Sequence, residues 1–216
     1  MRHIDRLPKP QILEQKGKEW LDKFLESGKK RPDSSKYAHQ SVKQALESMS
    51  NTKCFYCECS VKEWGEEVDH HIEVTVDKTL AFNWDNLYLS CSDCNKKIPH
   101  NVIRIDEALD PIVDSDEEIK RHITFAEESI YEMNGSEKGR KTIEKYRLNS
   151  KILDNRRRMQ IKKMQTTIIE CLKKGGTSCL TNDDKELIKR YTYRSSPFSY
   201  MCECYLKEHL PEVLND

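Results

Sequence analysis

Two Cys-x-x-Cys pairs, Cys54/Cys57 and Cys91/Cys94, bracket the run Val68-Asp69-His70-His71-Ile72. Each pair presents two sulfurs from one tight turn, so the four thiolates can close a tetrahedral zinc site with bonds of about 2.3 Å. Four sulfurs leave no open coordination position, which makes such a zinc structural. The bracketed segment carries groups for a different chemistry. An imidazole titrates near neutral pH and can take a proton from water. The segment also carries an Asp-His step, and Asn95 follows the last cysteine directly; a hard cation such as Mg²⁺ prefers oxygen ligands, which a carboxylate and an amide supply. A general base beside such a cation is what phosphodiester hydrolysis needs, because the cation stabilises charge on the transition state and the leaving oxygen. Zinc at sulfur and magnesium at oxygen would sort by ligand softness.

The pieces stand in a recognisable order: Cys54-Phe55-Tyr56-Cys57, then Val68-Asp69-His70, then Trp84-Asp85-Asn86-Leu87, then Cys91-Ser92-Asp93-Cys94-Asn95. This order resembles the HNH endonuclease family. The resemblance implies a ββα-metal unit of two strands and a helix around one divalent cation. It makes His70 the general base and gives Asp69 and Asn95 to a catalytic Mg²⁺ or Mn²⁺, with Asn95 standing where many relatives have His. Asn86 would brace the loop and orient the histidine. His71 is a second candidate base, but strand side chains alternate, so only one of the two can face the cation. The motif position favours His70. Many relatives carry Pro shortly after the His and Lys three residues after the last Asn. Here Glu73-Val74 and Ile98 stand there, which leaves Lys96 or Lys97 as phosphate contacts.

The resemblance extends to Met1-Arg2-His3-Ile4, to Leu148-Asn149-Ser150 with Leu153 and Arg157, and to Ser196-Pro197-Phe198-Ser199-Tyr200-Met201. Together these are similar to the HNH subunit of Septu-type and retron-associated antiphage defence systems. That implies an ABC-type ATPase as partner and DNA or RNA as substrate. In retron versions a reverse transcriptase and its RNA–DNA product also take part. The reading from another class is a zinc-stabilised nucleic-acid-binding or scaffold subunit without catalysis.

The elements that must position these residues are mostly helical. Of 216 residues, 34% are charged and 36% apolar, and Gly and Pro number only 7 each, which favours helix over a turn-rich β fold. The expected class is α+β: N-terminal helices over 1–52, a zinc-stapled ββα core over 53–100, and a C-terminal helical lobe over 101–216, in one domain. Leu13, Trp20, Leu21 and Phe24 share a helical face over 10–26. A second helix is expected from Ser34 or Ser35, with Val42, Ala45, Leu46 and Met49 inward. Ser115-x-x-Glu118 reads as a capping box for a helix striped by Ile119, Ile123, Ala126 and Ile130 and ended by Asn134-Gly135. A long helical tract follows, bent near Leu148-Asn149 and stopped at Gly175-Gly176. Short helices are expected after Thr181 and from a Ser196 N-cap.

No apolar run approaches the roughly 20 residues of a membrane span, and the expected location is cytoplasmic. Nine cysteines, an odd count, then favour metal ligation over disulfides. Formal net charge is zero, but its distribution is uneven. Lys138–Lys163 is strongly basic, and its Arg156 and Arg157 are candidate backbone contacts for a nucleic acid. Lys29-Lys30-Arg31 is a weaker candidate of the same kind.

Overall fold

The computed structural model describes residues 1–173 and 180–215. The expected helix stop at Gly175-Gly176 lies outside them. The N-terminal part is built from α1 (Gln11–Glu26), α2 (Ser34–Tyr37) and α3 (Gln40–Ser50). Leu13 and Phe24 of α1 are buried, and Trp20 and Leu21 pack against the same core. The single helix expected from Ser34 is divided. His39 takes an extended backbone and its ring nitrogen accepts from the Ser41 N–H, so it caps α3 instead of continuing α2. Val42 and Leu46 then point inward as expected.

After the short α4 (Val61–Trp64), the bracketed segment forms an antiparallel pair, β1 (Glu67–His70) and β2 (Leu87–Ser90). Asp69 stands opposite Tyr88 and His70 opposite Leu87. Every residue of β2 is buried, with α3 packed on it. The strand runs directly into Cys91, so the second knuckle is fixed by the core. The element after it is a single 3-10 turn, Cys94–Lys96, and not the α-helix expected of a ββα unit.

The C-terminal part departs from expectation first after Ser115. Ser115 does cap a helix, accepting from the Glu118 N–H, but α5 (Asp116–His122) ends at His122. The chain then turns back on itself as β3 (Ile123–Ala126) and β4 (Ser129–Glu132). Ile123 and Phe125 are buried while Thr124 is half-exposed, a period of two in place of the predicted 3.6. The hairpin turn holds Glu127 at φ 50°, a conformation usually marked by Asn or Gly. Glu127-Glu128 carries no such mark.

Next come α6 (Glu137–Lys145) and α7 (Lys151–Leu172). The expected bend lies between them, with Arg147 at φ 55° and Ser150 capping α7. Gly139 of α6 crosses the end of α5 closely. A Cβ there would lie 2.0 Å from the His122 carbonyl oxygen, a backbone atom that cannot rotate away. Gly139→Ala is therefore expected to cost about 3 kcal/mol and to lower the thermal midpoint by roughly 6–12 °C, followed by circular dichroism. A melt within a degree or two of the parent would show that the helices can part.

The chain closes with α8 (Asn182–Lys189), capped by Thr181, and α9 (Ser199–His209). The latter starts at Ser199 and not at the expected Ser196. Its N-terminus docks on the first knuckle: the Phe198 N–H donates to the Glu58 carbonyl and the Ser199 hydroxyl to Glu58 Oε1 at 2.7 Å. The buried apolar residues join one cluster drawn from the N-terminal helices, the bracketed segment and the C-terminal part. The hairpin thus sits inside a shared core. Among the described residues no helix is long and apolar enough to cross a membrane.

Candidate functional site

Cys54, Cys57, Cys91 and Cys94 are all buried, and their sulfurs lie within 4.8 Å of one another. Bonds of about 2.3 Å in a tetrahedron put sulfurs about 3.8 Å apart. The Cys57 and Cys91 sulfurs are 3.8 Å apart. The cluster could hold zinc, and it clamps the turn before α4 to the end of β2.

Beside this cluster a cavity of about 290 Å³ is lined by Asp69, His70 and Asn95, together with Tyr37, Glu73 and Lys97 and, at its rim, Lys30 and Arg31. The sequence-derived base and both cation ligands therefore share one space. The His70 Nε2 lies 2.9 Å from the Ala81 carbonyl oxygen. A carbonyl only accepts, so Nε2 carries the proton and the neutral ring keeps its lone pair on Nδ1. Tyr37 packs on the ring, centroids 4.5 Å apart. Burial lowers the pKa of His70, against the raising influence of the Ala81 carbonyl and Asp69. The ring is thus held neutral and oriented.

Asn86 ties together the loop on which these contacts rest. Its Oδ1 accepts from the Ile72 N–H at 2.7 Å, and its amide donates to the carbonyls of Ile72 and Leu80. Leu80 precedes Ala81, so Asn86 ties down the residue next to the one whose carbonyl orients His70.

His71 has a different place. It is 3% exposed and stacks on Tyr88 with centroids 4.2 Å apart. Its Nδ1 meets the Tyr56 hydroxyl at 3.2 Å, and that hydroxyl donates to Asp69 Oδ2 at 2.7 Å. The Nε2 sits 3.3 Å from Asp110 Oδ2, without the alignment of a hydrogen bond. His71 does not line the cavity. It is a buried link that supports Asp69 from behind.

Asp69 also accepts from the Lys97 ammonium, 2.5 Å from both carboxylate oxygens, and Lys97 donates to the His70 carbonyl as well. Lys97 is buried, lines the same cavity, and has its ammonium engaged by Asp69. Lys96 is exposed. The Asn95 amide contacts the Glu67 carboxylate, two residues before Asp69 on the same face of β1.

The other basic candidates lie elsewhere. Arg157 is 1% exposed and donates to the Leu148 carbonyl and to Asp154. That burial removes it as a phosphate contact. Arg156 pairs with Asp93 at 2.5 Å and lies over the Trp64 ring, bracing the second knuckle. Much of the surrounding basic tract is likewise paired internally: Lys138 with Asp114, Arg140 with Glu137, Lys141 with Glu107, Arg158 with Glu128.

Sequence reasoning does not single out Tyr37, Tyr56 or the Ala81 carbonyl, which have no spacing signal. Glu73 does carry one, since it stands near where relatives of the HNH pattern have Pro. Both of its carboxylate oxygens are buried without a hydrogen-bond partner. An unpaired buried carboxylate is costly, and a cation in the cavity would relieve it. Asp69, the Asn95 amide and Glu73 are oxygen donors of the class that would suit a hard cation such as Mg²⁺ or Mn²⁺ once Lys97 left Asp69.

The chain is similar to Septu protein PtuB. It is 31% identical to the PtuB of Bacillus thuringiensis over 152 residues, covering 69% of this chain and 55% of that protein. It is 30% identical to the PtuB of Bacillus mycoides strain KBAB4 over 165 residues, covering 63% of this chain and 56% of the other. The chain spans about half the length of these curated PtuB relatives. No protein-family model matches it.

Proposed function

We propose that the chain is a metal-dependent HNH endonuclease, the effector nuclease of an antiphage defence complex with an ABC-type ATPase. The observation that supports this best is the single cavity holding Asp69, His70 and Asn95, with the histidine tautomer set by Ala81. The PtuB relatives supply the defence context.

In this reading Nδ1 of His70 takes a proton from the attacking water. The Ala81 carbonyl keeps the other nitrogen protonated and steadies the imidazolium that forms, while Asn86 prevents the loop from shifting. Asp69, Asn95 and Glu73 would hold the divalent cation, which when bound supplies charge stabilisation at the phosphate. Asp69 has to release the Lys97 ammonium before it can ligate a cation. The Asp69–Lys97 pair is also what favours the second reading, a zinc-stabilised nucleic-acid-binding or scaffold subunit in which lysine replaces the metal permanently.

Incubation with DNA and RNA separates the two readings. The chain is given Mg²⁺ or Mn²⁺, alone and together with the proteins encoded beside it. The nuclease reading predicts cleaved product under at least one of these conditions. Intact substrate throughout, with zinc bound and the fold intact, contradicts it. Cleavage without an ATPase would keep the nuclease and remove the partner.

A further inference from the structure

Resting on the nuclease reading, we infer that the Lys29–Arg31 loop between α1 and α2, and not the basic α6–α7 tract, carries the phosphate backbone of the substrate into the site. Lys30 and Arg31 line the cavity that holds Asp69, His70 and Asn95. Arg31 and Pro32 also line an adjoining cavity of about 550 Å³, to which Lys29 and Lys36 contribute. The two cavities meet at this loop, so its cations form a track that ends at the candidate base.

The loop is positioned from both ends. The Ser27 hydroxyl donates to the Phe24 carbonyl at 2.7 Å. Lys78, from the same stretch as Ala81, donates to the Lys29 carbonyl at 3.2 Å. Asp33 caps α2. These contacts use backbone groups and leave the cationic heads outward. Lys30 and Arg31 are exposed and form no ion pair among the described residues. Burial raises the Tyr37 phenol pKa and Arg31 opposes it, which puts the guanidinium within electrostatic reach of the ring that packs on His70.

The cavity therefore carries the exposed Lys30 and Arg31 at its edge and, with them, Asp69 paired to Lys97 and the unpartnered carboxylate of Glu73. A phosphodiester bridging to a divalent cation has the complementary pattern. The α6–α7 tract lacks this arrangement, because its cations near the site are buried or already paired. Each phosphate neutralised by the loop releases counterions, so the loop should govern the salt dependence of binding.

The test is fluorescence anisotropy of short labelled DNA and RNA strands on the full chain carrying His70→Ala, without divalent cation. Lys30→Ala/Arg31→Ala is compared with Lys162→Ala/Lys163→Ala on the exposed face of α7. The loop pair is expected to weaken binding about tenfold or more and to flatten the plot of log K against log salt by about 1.4–1.8. The α7 pair is expected to change neither. Unchanged binding in the loop variant, a loss confined to the α7 variant, or no binding by the parent overturns the inference. Cleavage by the chain without substitutions judges the nuclease reading separately. If the loop variant binds and cleaves normally, only the loop's role falls. If binding depends on the loop but nothing is cut, only the nuclease falls.

Discussion

His70→Ala is expected to lower cleavage by about 10³-fold, the usual range for loss of a positioned general base, while leaving zinc content and the far-ultraviolet spectrum unchanged. The expectation follows from where the ring sits. It is half-buried at the cavity, and its side chain gives the fold one hydrogen bond to the Ala81 carbonyl and its packing on Tyr37. Because burial lowers its pKa, the acid limb of the cleavage profile should fall below the ordinary histidine value of 6.5. His71→Ala is the contrasting substitution. It removes a buried ring stacked on Tyr88, so its principal effect should be a loss of stability of about 3 kcal/mol. If the two variants exchange these phenotypes, the base has been assigned to the wrong histidine.

Loss of the thiolate cluster is expected to be the largest effect on stability. Cys91→Ser removes one sulfur at the junction of β2 and the second knuckle. Structural zinc binding is worth on the order of 10 kcal/mol, and β2 and the first knuckle both belong to the shared core. The variant should therefore purify with little zinc and melt at least roughly 10 °C lower. Cleavage should be lost as well, because Asn95 lies one residue beyond Cys94 and Asp69 is supported by Tyr56 between Cys54 and Cys57. A variant with full thermal stability would mean that the core alone holds the hairpin. Zinc content, by elemental analysis, and a melt decide between the two.

The site is more legible in the sequence than the elements around it. The cysteine spacing points to a cluster that the structure assembles, because ligand chemistry leaves few alternatives. The shared cavity of Asp69, His70 and Asn95 is what the resemblance to HNH endonucleases implies. The hairpin at Ile123–Glu132 is not legible. Ile119, Ile123, Ala126 and Ile130 fit a helical stripe, and the turn lacks the residues that usually announce one. The break at His39 escapes a reading of the sequence for a similar reason, since histidine is an uncommon cap. Charge along the chain is the signal that tertiary structure redistributes most. The dense basic run at 138–163 reads as a candidate nucleic-acid surface or a solvated helix face, and tertiary structure pairs many of its side chains with acids far away in sequence, Lys141 with Glu107 and Arg156 with Asp93 among them. Only the fold could show that the sparser Lys29–Arg31 cluster faces the site.

A hard cation at Asp69 beside His70 is open to direct measurement. Mn²⁺ is titrated into the zinc-loaded chain and into Asp69→Asn, and free Mn²⁺ is followed by electron paramagnetic resonance. The expected result is saturable binding of a single Mn²⁺ per chain that disappears in Asp69→Asn while zinc remains bound. No binding to either protein, or equal binding to both, would contradict it and leave Lys97 as the permanent partner of Asp69.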